Sequence, residues 1–287
     1  MSGTAYRVAA VAAVDAIAAP ARRRGVLAVA RGPRGSTVTR AYAESPLKWL
    51  TPATPGEAAW VFASSYGGGL VGGDNLCLTI SIGAGASAFV SSQASTKVYR
   101  SRDRSSAKIE ATVSAGGHLV LWPDPVVCYA GSTFRQLQCV DLRDDGALVL
   151  VETMTSGRRA SGERWQFVEY ANRITVRQDG RVVLFDATRL SSTEGNLGAR
   201  LGRFDVLCTV VIVGRRFLEN VRAITESIGS CPIERRADLL LSAAPIGDTG
   251  CLLRVVGRST EQVTGVVRSY LSFLSRLLGD DPWTRKW

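Results

Sequence analysis

The 287-residue sequence predicts a mainly β protein whose body is a layered solenoid or sandwich, with α-helices confined to its last third. Three observations carry this. Leu76, Leu78, Ile80 and Ile82 alternate with Asn75, Cys77, Thr79 and Ser81, the period-two pattern of a strand. Gly85, Gly116, Gly146 and Gly180 recur at spacings of 31, 30 and 34, each followed by an apolar run (ASAFV, GHLVL, ALVLV, RVVLF). A period of this length marks units that stack to bury a continuous core. Both phases of these runs are apolar, with Ala147, Val149 and Val151 on one and Leu148 and Leu150 on the other, so both faces are expected to be covered. An ordinary antiparallel meander of similar hairpins would leave the same pattern, and the residues alone leave that alternative open.

In chain order, residues 1–24 form an alanine-rich segment that lacks a basic leader region and is broken by Asp15, and they are expected to be flexible. Residues 25–206 form the β body. Within it, five glycines at 67, 68, 69, 72 and 73 precede Asp74. Gly67, Gly69 and Gly72 fit G-x-G-x-x-G, but a strand follows where a dinucleotide site needs a helix, so a close crossing of backbones is the better reading. Residues 207–287 form a mixed α/β part. Leu207 to Val213 is one more buried strand, and Phe217 to Ile228 and Ile233 to Ala243 have helical spacing, the second with Pro232 at its start. Cys251 to Val256 is a strand. Ser259 to Leu278 predicts a helix opened by a capping box (Ser259, Gln262), whose stripe from Val263 to Leu278 is expected to pack on the core rather than on a partner.

Composition narrows the class of function. With 46% hydrophobic residues the chain buries a real core, and its net charge of +10 points to acidic partners. The arginines are scattered in pairs and triplets (Arg22 to Arg24, Arg158 and Arg159, Arg215 and Arg216, Arg235 and Arg236) rather than gathered into one stripe, which favours a solvated surface over nucleic-acid binding. Cysteines 77, 128, 139, 208, 231 and 251 show no C-x-x-C spacing and several lie in apolar runs, which favours a reducing, cytoplasmic setting. The apolar run Val206 to Val213 is far shorter than the ~20 residues of a membrane helix.

The search for catalytic chemistry returns little. His118 is the single histidine and sits in an apolar strand, there is no G-x-S-x-G elbow, and none of the four lysines follows a glycine as in a P-loop. No enzyme activity is expected, and any metal would have to meet oxygen ligands, thiols or backbone carbonyls. Glu152 and Asp186 both lie six residues after their turn glycines. If their units were neighbours, the two would stack about 4.8 Å apart, where two carboxylates repel unless protonated, solvated or bridged by a cation. A solvent-facing strand end near Arg189 is the plainer reading of the same residues.

GGGLVGGD at 67–74, ASTKVYRS at 94–101, the segments Arg24 to Pro52, Trp122 to Tyr129 and Thr155 to Phe167, and the terminal PWTRKW occur in an order that resembles the urease accessory protein D family (UreD/UreH). The resemblance implies a two-layered right-handed β-helix. It also implies a non-enzymatic nickel-insertion chaperone that scaffolds accessory proteins F and G on the urease apoprotein and passes Ni²⁺ to the active site. No tightly bound cofactor is implied. The family's internal nickel route would map to Asp74, Thr96, Glu152 and Asp186, and its motif or partner positions to Gly72, Gly73, Lys97, Tyr99 and Arg100. Pro123-Asp124-Pro125 departs from the family's P-Q-E element by one shorter acid. The alternatives from other classes are an Arg-rich β-solenoid that binds anions or nucleic acid, and a β-helical carbohydrate-active enzyme with two carboxylates in a cleft.

Overall fold

A computed structural model of the chain describes residues 22–54, 56–232 and 234–283. The chain enters a first sheet as β1 (Arg22–Gly32) and turns back as β2 (Gly35–Ala43), then crosses to a second sheet with β3 (Leu47–Leu50) and β4 (Ala59–Ser65). From there it alternates. β5 (Asn75–Ile82), β8 (Ser105–Val113), β11 (Thr133–Leu142) and the hairpin β13 (Glu169–Gln178) and β14 (Arg181–Ser191) belong to the first sheet. β6 (Ser87–Ser92), β9 (His118–Leu121) and β12 (Ala147–Thr155) belong to the second, with the short strands β7 (Thr96–Val98) and β10 (Val126–Cys128) alongside. After α1 (Leu197–Leu201), strands β15 (Val206–Val213), β16 (Leu239–Ile246) and β17 (Gly250–Gly257) extend the second sheet. Helices α2 (Leu218–Ser230), α3 (Thr260–Tyr270) and α4 (Leu274–Leu278) complete the described chain.

The orders are β14-β13-β11-β8-β5-β1-β2 and β16-β17-β15-β12-β9-β6-β4-β3. Strands β1, β5, β8, β11 and β13 run parallel, as do β4, β6, β9 and β12, and antiparallel strands finish both ends of each sheet. Parallel sheets need cover on both faces, and the second sheet has it. Leu119, Leu148 and Leu150 face Ile80, Val113 and Ile174 between the sheets. Phe89, Val149, Val151 and Val210 pack on the other side under Ile224, Val263, Val267 and Leu274 of the helices. The stripe of the last helical region is therefore core, as expected. Among the described residues, no helix is long and apolar enough to cross a membrane.

Several expectations are corrected. The stack of Glu152 on Asp186 does not form, because β12 and β14 lie in opposite sheets. The first three turn glycines do precede neighbouring strands β6, β9 and β12. At the fourth, however, two residues, Asp179 (φ 50°) and Gly180 (φ 79°), join β13 to an antiparallel β14 in the same sheet. Positive φ at both central residues is the type I′ geometry that reverses a hairpin. Ile233 to Ala243 is not helical: residue 233 lies outside the described residues, and Leu239–Ile246 pairs with β17 as an edge strand carrying Pro245. The helix expected over Ser259 to Leu278 is capped by Ser259 Oγ accepting from Gln262 N, but it breaks after Tyr270 and resumes at Leu274. Of the segment expected to be flexible, residues 1–21 lie outside the described residues, and 22–24 already belong to β1.

Candidate functional site

The two motifs at 67–74 and 94–101 meet in space. Leu70 N donates to Lys97 O at 2.7 Å and Tyr99 N to Leu70 O at 2.9 Å, so the glycine loop is laid as an extra strand along Thr96–Val98. The approach is possible only without side chains: a Cβ on Gly69 would stand 2.5 Å from Lys97 O, and one on Gly72 1.7 Å from Ser101 Oγ. Gly73 has a positive φ of 84° in open space. Tyr99 stacks edge-on against Tyr129 with centroids 5.1 Å apart, and Arg158 covers Tyr129 at 4.1 Å. Arg100 lies against Gly131, whereas Lys97 is exposed. Asp74 serves the loop itself, with its carboxylate accepting from Val71 N at 2.9 Å and lying 3.7 Å from Arg23 Nε.

Between the sheets a polar layer interrupts the apolar core. β12 points Leu148, Leu150, Glu152 and Met154 inward, and β11 and β13 answer with Gln136, Gln138, Tyr170 and Asn172. Glu152 is 4% exposed. Its Oε2 accepts from Gln136 Nε2 at 2.7 Å and Gln138 Nε2 at 2.9 Å, and Tyr170 Oη donates to Oε1 at 3.3 Å. Burial is the dominant influence and pushes the carboxyl up to about 7, against the pull of the three donors. No arginine or lysine pairs with this carboxylate among the described residues. Gln138 Oε1, also buried, accepts no hydrogen bond there.

Glu152 stands in the wall of two cavities, each of 210 Å³. The first runs from the glycine loop (Gly69, Leu70) and Thr96 past apolar side chains such as Leu78 and Ile80 to Gln136 and Glu152. The second lies beyond, bounded by Glu152, Tyr170, Asn172, Cys208 and Arg254. Thr96 and Glu152 are thus joined by one cavity. Asp186, 7% exposed on β14, reaches the second indirectly through its ion pair with Arg254. Asp74 lines neither cavity. Asp124 of the Pro-Asp-Pro element lines the first and accepts from Ser92 Oγ at 3.2 Å. Sequence reasoning missed Gln136, Gln138 and Asn172. The available signal was two glutamines in phase with Phe134, Val140 and Leu142 on one strand.

Elsewhere the titratable groups are structural. His118 Nδ1 lies 3.0 Å from Ser87 Oγ, and burial, then Arg216, lowers its pKa to about 4, so it is a neutral strand histidine. All six cysteines are free, and burial pushes Cys128, Cys208 and Cys251 up to about 12, where they act as small apolar groups. Among the described residues, no three His, Cys, Asp or Glu side chains converge as a metal-holding cluster.

Comparison with known proteins accounts for the conjunction of glycine loop and S-T-K run. The family described as UreD urease accessory protein matches residues 22–287. A urease accessory protein UreD of Sorangium cellulosum (strain So ce56) is 51% identical, over 92% of this chain and 84% of that protein. One of Anaeromyxobacter sp. (strain Fw109-5) is 41% identical over 91% and 88%, and the urease accessory protein D of Oryza sativa subsp. japonica is 32% identical over 95% and 98%. The family is named for an accessory role to urease and not for a reaction of its own. With the match spanning the described residues from β1 onwards, the chain belongs to the UreD urease accessory protein family.

Proposed function

We propose that the protein is a nickel-insertion chaperone for urease. In this reading it works in the cytoplasm, scaffolds accessory proteins F and G on the urease apoprotein, and lets Ni²⁺ pass through its interior. The body is read as a two-layered solenoid, with right-handed turns as parallel crossovers are. The alternation of parallel strands between two sheets supports this, although neither sheet closes. The observation that carries the conduit is Glu152, a buried carboxylate held by neutral donors at the junction of two cavities.

A fixed cation beside it would lock the carboxylate into an ion pair, whereas amide donors leave it free to exchange a proton for a metal ion. Carboxylate, hydroxyl and carbonyl oxygens bind nickel less tightly than thiolate or imidazole sets, which suits an ion that must be released. Thr96 and Glu152 supply such oxygens along the first cavity, Asn172 lies beyond Glu152 in the second, and Asp186 supplies another once Arg254 swings away. Asp74, bound to Val71 N, keeps the loop at the entrance in shape. Many arginines are already engaged in ion pairs, among them Arg135, Arg158, Arg164, Arg189 and Arg254, which weighs against a nucleic-acid surface.

Deletion of the gene at limiting nickel tests the function. Urease is expected to be synthesised and assembled but to contain little nickel, with activity at least tenfold down and restored by the intact chain. Fully metallated, active urease from the deletion strain would overturn the proposal.

A further inference from the structure

Among the described residues, seven large apolar side chains are exposed, and three of them, Val182 (55%), Val183 (37%) and Phe185 (57%), lie within one stretch of four residues on β14. β14 is one of the two outermost strands of the first sheet. At 11 residues it is longer than the other edges, β2, β16 and β3, with 9, 8 and 4. Edge strands are ordinarily blunted by shortness, proline, lysine or a covering segment, because their free N–H and C=O groups template another strand. β16 carries Pro245 and β3 is short, whereas β14, like β2, has neither proline nor lysine; its own guards are a bulge near Val183 and the charged residues Arg181, Asp186 and Arg189.

Arginines crowd this apolar stretch, with Asp141 and the turn residue Asp179 as the nearby acids. Phe185 is paired with Thr175, so the same face of the hairpin carries Arg173 and Arg177 diagonally beside it, and Arg181 opens the strand. Arg177 is 3.7 Å from Asp141, both half in solvent, and Arg173 and Arg181 make no ion pair among the described residues. Inward, Leu184 joins the core and Asp186 holds Arg254, so the strand is anchored and only its outer face and edge remain for another molecule.

We propose that β14 is a docking edge for an extended, acidic segment of a partner protein, which adds a strand beside it. Its apolar side chains would cover Val182, Val183 and Phe185, and its carboxylates would meet Arg173, Arg177 and Arg181. Main-chain hydrogen bonds supply affinity in such strand addition and the alternate side chains supply specificity. A second copy of this chain fits less well, because edge-to-edge pairing would set the arginines against one another. Nucleic acid fits less well too, since one aromatic side chain is a poor stacking platform. The inference does not rest on nickel passage.

Hydrogen–deuterium exchange on the full chain tests it. The probes are a nine-residue peptide alternating Glu and Val, its Lys–Val counterpart, and a single-stranded DNA oligonucleotide. The Glu–Val peptide is expected to slow exchange across residues 182–190 at least fivefold, with the effect fading as salt rises. Phe185→Glu and the double change Arg173→Glu/Arg181→Glu should abolish the protection while leaving the melting temperature unchanged, because these side chains are on the surface. Absence of protection, equal protection by the Lys–Val peptide, or protection by DNA alone would overturn the proposal. So would shielding that grows with protein concentration alone, which means self-pairing, or exchange that quickens when residues 1–21 are removed, which means the chain covers its own edge.

Discussion

Glu152→Gln is expected to make the protein more stable at pH 8 and a poor activator of urease. Burial holds this carboxyl at about 7, above its ordinary 4.5. An acid whose folded-state pKa is raised contributes stability that is fully present below the unfolded value and is lost as pH rises through the folded one. The folded protein therefore loses roughly 3 kcal/mol between pH 4.5 and 7 on account of this group. Glutamine keeps the shape. Its Oε1 can still accept from Gln136 and Gln138, and its Nε2 can donate to Tyr170 Oη, without a charge to desolvate. A gain of about 1–3 kcal/mol at pH 8, and little change at pH 4.5, should appear in denaturant unfolding. On the proposed route urease activation should fall tenfold or more over the same change, because a divalent ion would lose the buried carboxylate at the junction of the two cavities. A variant that is both less stable at pH 8 and fully active would mean that Glu152 is a structural residue.

Gly69→Ala is the second change expected to act strongly. The added Cβ meets the Lys97 carbonyl at 2.5 Å and the Tyr99 ring at 2.6 Å, and a backbone atom cannot rotate out of the way as a side chain can. The loop must lift, breaking the Leu70–Lys97 and Tyr99–Leu70 hydrogen bonds and opening one wall of the first cavity. A loss of about 2–3 kcal/mol is expected, together with proteolytic cleavage inside residues 66–74 and weak urease activation. Gly67→Ala and Gly73→Ala supply the contrast. Both glycines have positive φ (101° and 84°) with nothing within 4 Å of the added carbon, so each should cost only about 1 kcal/mol of backbone strain. If all three variants melt together, close approach is not what the glycine loop is for.

Much of the fold was legible in the sequence because burial on two faces leaves a plain mark. Alternation at 75–82 and the two apolar phases of 147–151 placed β5 and β12 and their cover, and the Ser259 cap and the stripe from Val263 placed α3 on the core. What failed were elements decided by partners distant in sequence. β16 has helical spacing at 239–243 but is held by β17, an instance of tertiary pairing overriding local pattern. The repeat glycines looked equivalent, yet loop length separates them. Two residues, Asp179-Gly180, force a hairpin, whereas four at 143–146 let the chain cross to the other sheet. That Asp-Gly pair between two strand-like runs was a hairpin signal in plain view. The candidate site was half legible. Thr96 and Glu152 meet one cavity, but Asp186 lies across the sandwich from its supposed neighbour and Asp74 turns into its own loop. No periodicity reports which inward side chains of opposite sheets face each other, so the amides that surround Glu152 were out of reach.

The central claim is that nickel reaches urease through the interior of this protein, past Glu152. It is tested most directly by reconstituting apo-urease with the purified accessory complex in the presence of a chelator that captures free Ni²⁺. The nickel bound per urease active site is then counted for the wild type and for the double variant Glu152→Gln/Asp186→Asn. The account predicts that the variant forms the same complexes with accessory protein F and urease, yet loads at most a tenth of the wild-type nickel. Equal loading by both proteins would contradict it, and so would a loss of loading that follows a loss of complex formation step for step.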